Sequence, residues 1–238
     1  MFAILKKEFN SFFASPIAYV VIGVFLLMNG LILWIFKDDF NILNAGFADL
    51  NSFFFLVPRV FIFLIPAITM KSFADEYSNG TIELLKTKPI SEWQIVFGKF
   101  LASLLLIVVA IIPTLTYVYS VYQLGSPVGN LDFGSTIGSY IGLLFLAATY
   151  TSIGLFTSTL SKNQIVAFIL GVFLTFILFY GFDAIAYSLD NKLTIQKIGI
   201  NEHYKSISRG IIDTRDLIYF VSVTAFFLFI TKTRLENE

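Results

Sequence analysis

Ile17–Phe36 is a run of twenty residues without one charged side chain. At 1.5 Å of rise per residue a helix of that length covers about 30 Å, the thickness of a bilayer's hydrocarbon core. The pattern recurs along the chain. Ser52–Met70 is interrupted only by Arg59. Phe100–Tyr122 contains Pro113, Gly134–Leu160 is long enough to tilt, and Gln164–Phe182 follows after a short connection. The sixth run is weaker, since Leu217–Thr231 holds only 15 uncharged residues. That span has to begin earlier, through Asp213, Arg215 and Asp216, or sit in a thinned region of the bilayer. Before it, Ile198–Ile212 mixes apolar residues with His203, Lys205 and Arg209. It reads as an interfacial or re-entrant helix, whose backbone must be covered by protein or water.

Composition agrees with this reading. Only 13% of the residues are charged, against about 25% in a soluble domain, and the mean hydropathy is +0.81. The expected fold is an all-α integral membrane protein with six transmembrane helices in one domain over 1–238. The spans fall at about 17–36, 52–70, 100–122, 134–160, 164–182 and 213–232. The first is too long for the core of a signal peptide and no A-x-A site follows it, so it reads as retained.

Several chemistries are excluded. There is no Cys, hence no disulfide, thiolate metal site or cysteine nucleophile. One His, His203, cannot make the usual zinc site. Sixteen basic against sixteen acidic residues give no basic face for nucleic acid. Gly98-Lys99 is followed by Phe100 and lacks the upstream Gly of a P-loop. Neither H-E-x-x-H nor G-x-S-x-G occurs. No residue reads as catalytic, metal-binding or cofactor-binding, so the chain is expected not to be an enzyme.

Two segments lie outside the runs. In 1–15, Phe2, Leu5, Phe9, Phe12 and Phe13 recur at helical spacing with Lys6, Lys7, Glu8 and Asn10 between them. This predicts an amphipathic helix on the membrane surface, ended by Pro16. The segment 71–99, KSFADEYSNGTIELLKTKPISEWQIVFGK, is dense in charge. Ser78-Asn79-Gly80 reads as a turn, 81–86 as a short helix, and Ser91 as the cap of a helix entering the third span.

Lys and Arg set the orientation. With six spans, nine basic residues fall on the side of the termini and six on the other. Both termini and 71–99 are therefore expected in the cytoplasm, and the glycosylation sequon Asn79-Gly80-Thr81 would face the wrong side for use. Within the spans, Arg59 and Asp183 are intramembrane polar candidates, as a polar lining, as an Arg–Asp pair within the bundle, or snorkelling to a nearby interface. Gly138 and Gly142 form a small-xxx-small pair, a weak dimerisation signal.

Four segments carry a resemblance. MKSFADEYSNGTIELLKTKPISEWQIVFGKF resembles the cytoplasmic loop of ABC-2-type transporter permeases, and KKEFNSFFASPIAYV resembles their amphipathic connecting helix. SIGLFTSTLSKNQIVAF and HYKSISRGIIDTRDLIYFVSVTAFFLF are also similar to that family, in the same order. Within it the likeness is to permease subunits of bacterial gliding-motility systems. The resemblance implies a dimer, with a second copy or a different membrane subunit, in the bacterial cytoplasmic (inner) membrane. It implies a separate ABC ATPase subunit that binds ATP and magnesium, with no cofactor in this chain. It makes Asp75, Glu76, Asn79, Gly80, Thr81 and Glu83 the coupling stretch, serving ATPase contact or loop shape. Two other readings compete: a non-transporting scaffold or motor anchor of the gliding or secretion machinery, and an ion-coupled carrier using Arg59. The substrate is not legible.

Overall fold

The computed structural model describes residues 1–87, 89–188, 195–210 and 213–237. Among them every regular element is helical, as lipid demands of a backbone that must satisfy its own polar groups. Helix α1 (Phe2–Ala14) ends at Ser15, whose extended backbone (φ −109°, ψ 160°) turns the chain into α2 (Pro16–Gly30). Pro16 stands in the first turn, where its missing N–H breaks no helical bond. A π-helical segment, Leu31–Ile35, completes the first span.

Helix α3 (Asn51–Thr69) contains Pro58 and Pro66. Met70 keeps helical torsions, so α4 (Lys71–Ser78) extends the same run to 28 residues. After a turn comes α5 (Thr81–Lys86). The third membrane helix starts well before its apolar run, as α6 (Glu92–Ile111), with the Ser91 hydroxyl accepting from Gln94 N–H at 3.4 Å. The 71–99 loop expected from sequence thus contracts to a short connector around α5. Polar residues beyond the apolar run prolong both flanking helices, because a helix leaving the bilayer already satisfies its own backbone. Pro113 tightens Ile112–Thr114 into a 3₁₀ turn before α7 (Leu115–Leu124).

Helix α8 (Phe133–Ser158) is capped by Asp132. Asn163 caps α9 (Gln164–Phe176), and a π-helical segment leads to α10 (Phe182–Ser188). Helix α11 (Ile200–Ser208) falls within the segment read as interfacial or re-entrant. Helix α12 (Thr214–Glu236) begins at Asp213, which accepts from Arg215 N–H at 2.8 Å. Among the described residues, six helical runs are long and apolar enough to cross a membrane.

Helix α8 is the axis and touches α3, α6, α9, α11 and α12. Of its most apolar stretch 72% is buried inside the protein, against 28% for the first span and 22% for Gln164–Tyr187, so those two are peripheral. Close approach needs small residues. Gly154 lies against Thr69, leaving no room for a Cβ. A Cβ at Gly138 would meet the Ile207 carbonyl at 2.9 Å, and one at Gly142 would touch Ile207 and Tyr204. The pair read as a dimerisation signal is therefore covered by α11 of the same chain. At the α4 end a second apolar cluster, including Phe73, Val96, Leu155 and Leu235, joins α4, α6, α8 and α12.

Candidate functional site

The charged end of the bundle is organised by a residue that sequence reading passed over. Lys99 lies on the inward stripe of α6, between buried Ile95 and buried Ala102. Its side chain is only 2% exposed. A buried ammonium is costly unless its donors are met. Lys99 Nζ lies 2.9 Å from Glu76 Oε1, 3.1 Å from Glu8 Oε1 and 2.7 Å from the Ser72 carbonyl. Three acceptors match the three donors of an ammonium group. Lys7 adds weaker contacts, 3.4 Å to Glu8 and 3.9 Å to Glu76. One side chain on α6 therefore ties α1 and α4 together.

Glu76 is thereby turned inward and buried. That placement leaves little of the Glu76 carboxylate open to direct contact with a soluble partner. Its neighbour Asp75 accepts a hydrogen bond from the Gln164 amide and so fastens α4 to the start of α9. Asn79 N–H bonds the Asp75 carbonyl at 3.0 Å. Gly80 follows in the left-handed region (φ 67°), which a Cβ would strain. The Thr81 hydroxyl donates to the Glu76 carbonyl at 3.4 Å. Glu83, in the first turn of α5, is exposed. It borders a groove of about 550 Å³ together with Tyr77, Gly80, Ile82, Lys162 and Arg234. The groove runs between α5, the turn joining α8 to α9, and the end of α12. Asp75, Glu76, Asn79, Gly80, Thr81 and Glu83 are thus brought together, with only some of them on the surface.

At the other end Arg59 and Asp183 do not pair. Arg59 reaches back along its own helix to the Phe55 carbonyl, with its guanidinium carbon 3.3 Å from the Phe55 ring centroid. Asp183 accepts from the Asn201 amide at 2.6 Å, a charge-assisted bond supplied by α11. Helix α11 is clamped on three sides. Pro58 has no N–H to offer the Phe54 carbonyl four residues back, and the Tyr204 hydroxyl takes that carbonyl at 2.9 Å. Ser135 and Ser139 of α8 donate to the Ser208 carbonyl at 2.9 and 3.1 Å. His203 Nδ1 lies 2.6 Å from Asp216 Oδ1 at the start of α12, and its ring stacks on Tyr219 at 3.8 Å.

Lys99 and Glu8 are the members of this arrangement that sequence reading did not single out. The signal was present: in the helix that Ser91 opens, positions 95, 99, 102 and 106 share one face, and three of the four are apolar.

Comparison with curated proteins gives no match. The family model described as ABC-2 family transporter protein matches residues 2–235. With nearly its whole length covered, the chain belongs to the ABC-2 transporter family, membrane components of ABC transporters.

Proposed function

We propose that this chain is the permease subunit of an ATP-driven transporter and couples a separate cytoplasmic ATPase to movement across the membrane. The observation that carries the reading is the Lys99 tie beside the groove at Glu83. A soluble partner seated in the groove would bear on α5 and α4. Lys99 would pass that displacement to α1 and α6 together. Coupling of this kind is a population shift between two states, with the free energy supplied by the partner's nucleotide. ATP and magnesium belong to that partner, and no cofactor is assigned to this chain. A second permease copy or a different membrane subunit completes the dimer.

The charge count supports placing both termini and the groove in the cytoplasm of a bacterium, with the chain in its inner membrane. The likeness to permease subunits of gliding-motility systems supports a role in such a system.

The test is affinity purification of the tagged chain from mild-detergent membranes, with ATPase activity measured on the product. A P-loop ATPase is expected to co-purify with the wild type and to be lost in Glu83→Lys. Glu83 is exposed, so the variant is expected to stay folded. Recovery of the chain free of any nucleotide-hydrolysing partner across several detergents would overturn the proposal.

A further inference from the structure

A cavity of about 150 Å³ lies between α3, α11 and Phe179. Its lining includes Asn51, Phe55, Arg59, Asn201, Tyr204 and Lys205. Two of these are cations and none is an acid. Among the described residues neither Arg59 nor Lys205 takes part in an ion pair. Arg59 sends one donor to the Phe55 carbonyl, which leaves most of its five N–H groups unengaged. Asp183, the acid bonded to the lining residue Asn201, is held by that amide at 2.6 Å. Arg59 sits eight residues, about 12 Å, along α3 from Asn51. A charge at that depth is expensive and is kept where it has a partner or a polar site to serve.

We propose that this cavity binds a phosphate group carried by a membrane lipid. The guanidinium fork of Arg59 matches phosphate oxygens in pairs. Lys205, on the helix that covers the cavity, supplies a second positive charge, and the amides of Asn51 and Asn201 line the same space. A cavity of roughly 150 Å³ holds a benzene-sized guest, so a phosphate group fits. Phe55 is half exposed on the outer surface of α3, where it offers an acyl chain an apolar path away from the headgroup. Basic pockets between membrane helices are one way a protein recognises an anionic headgroup. The same phosphate chemistry is available from a free anion in solution, and the test separates the two sources.

The full chain, purified in dodecyl maltoside, is titrated with dioctanoyl phosphatidylglycerol, with dioctanoylglycerol and with inorganic phosphate. Binding is read as the shift of the thermal unfolding midpoint and by native mass spectrometry. Saturable binding of the phospholipid is expected, with a dissociation constant raised tenfold or more in Arg59→Gln and in Lys205→Gln. Lys37→Gln, exposed before α3 and outside the cavity, is expected to bind as the wild type does. If Arg59→Gln fails to fold, Lys205→Gln decides alone, because Lys205 is exposed on α11. Equal affinity in the wild type and Lys205→Gln overturns the proposal, as does equal binding of dioctanoylglycerol. If inorganic phosphate saturates the site with the same dependence on Lys205 and the phospholipid does not compete, the anion comes from solution and the lipid assignment falls. The assay needs no ATPase, so its outcome is independent of the partner's capture.

Discussion

Lys99 owes its place to two facts that lie far apart in the chain. It falls on the buried stripe of α6, and the two carboxylates that neutralise it come from 91 and 23 residues away. A hydropathy scan registers only a charge at the edge of a polar loop. Burial and partner are tertiary facts, so a charge-rich stretch reads as solvated until α1 and α4 are folded against it. Lys99→Met removes the buried cation and leaves Glu8 and Glu76 with only the longer contacts to exposed Lys7, at 3.4 and 3.9 Å. Breaking a buried pair this way costs about 3–5 kcal/mol. Denaturant unfolding in detergent is expected to show that loss, and a smaller one for Glu8→Gln, which leaves the bond from Lys99 to Glu76 in place. A Lys99→Met protein as stable as the wild type would contradict the geometry. Arg59 teaches the complementary lesson. Sequence marked it as costly but could not tell a partner across the bundle from its own helix.

Proline placement decides how α11 is held. Pro58 stands inside α3, where its main effect is the Phe54 carbonyl it leaves unbonded, and the Tyr204 hydroxyl fills that place from 150 residues away. Tyr204→Phe keeps the ring and removes only the hydroxyl, leaving that carbonyl without its hydrogen-bond donor. The expected loss is about 1–3 kcal/mol. It is local, so hydrogen exchange should quicken in 200–208 and stay unchanged in α6. Uniform exchange across both helices would argue that α11 is held elsewhere. The starts of α6 and α12 could be read ahead, since Ser91 and the stretch from Asp213 mark them in sequence. The length of α3 with α4 could not, because nothing in the polar residues after Met70 announces that the helix continues.

At the scale of the whole molecule, six runs of apolar residues predict six membrane helices, and the described residues contain six helices long and apolar enough to cross. Hydropathy reports that much because the bilayer imposes one length on every span. It is silent on order from centre to rim, which is why the axial position of α8 and the covering of Gly138 and Gly142 came only with the packing. The absence of Cys gives a clean background for testing orientation. Asn79→Cys and Val128→Cys each place one thiol on an exposed position at opposite ends of the bundle. In cells whose outer barrier is made permeable, a membrane-impermeant maleimide is expected to label Val128→Cys. Asn79→Cys should react only once the cytoplasmic membrane is opened. The reverse pattern would invert the topology and move the groove at Glu83 out of reach of ATP.

The bond that Lys99 shares between Glu8 and Glu76 also bears on how such a chain can change by descent. Positions 8, 76 and 99 lie on three helices but answer for one charge balance. A neutral residue at 99 leaves two acids to Lys7 alone, so it becomes tolerable only when an acid is neutralised too; single steps away from the trio are penalised and the paths between working sequences run through coordinated replacements. Lineages that diverge freely over the lipid-facing rim are then expected to keep or lose this trio as one inherited character.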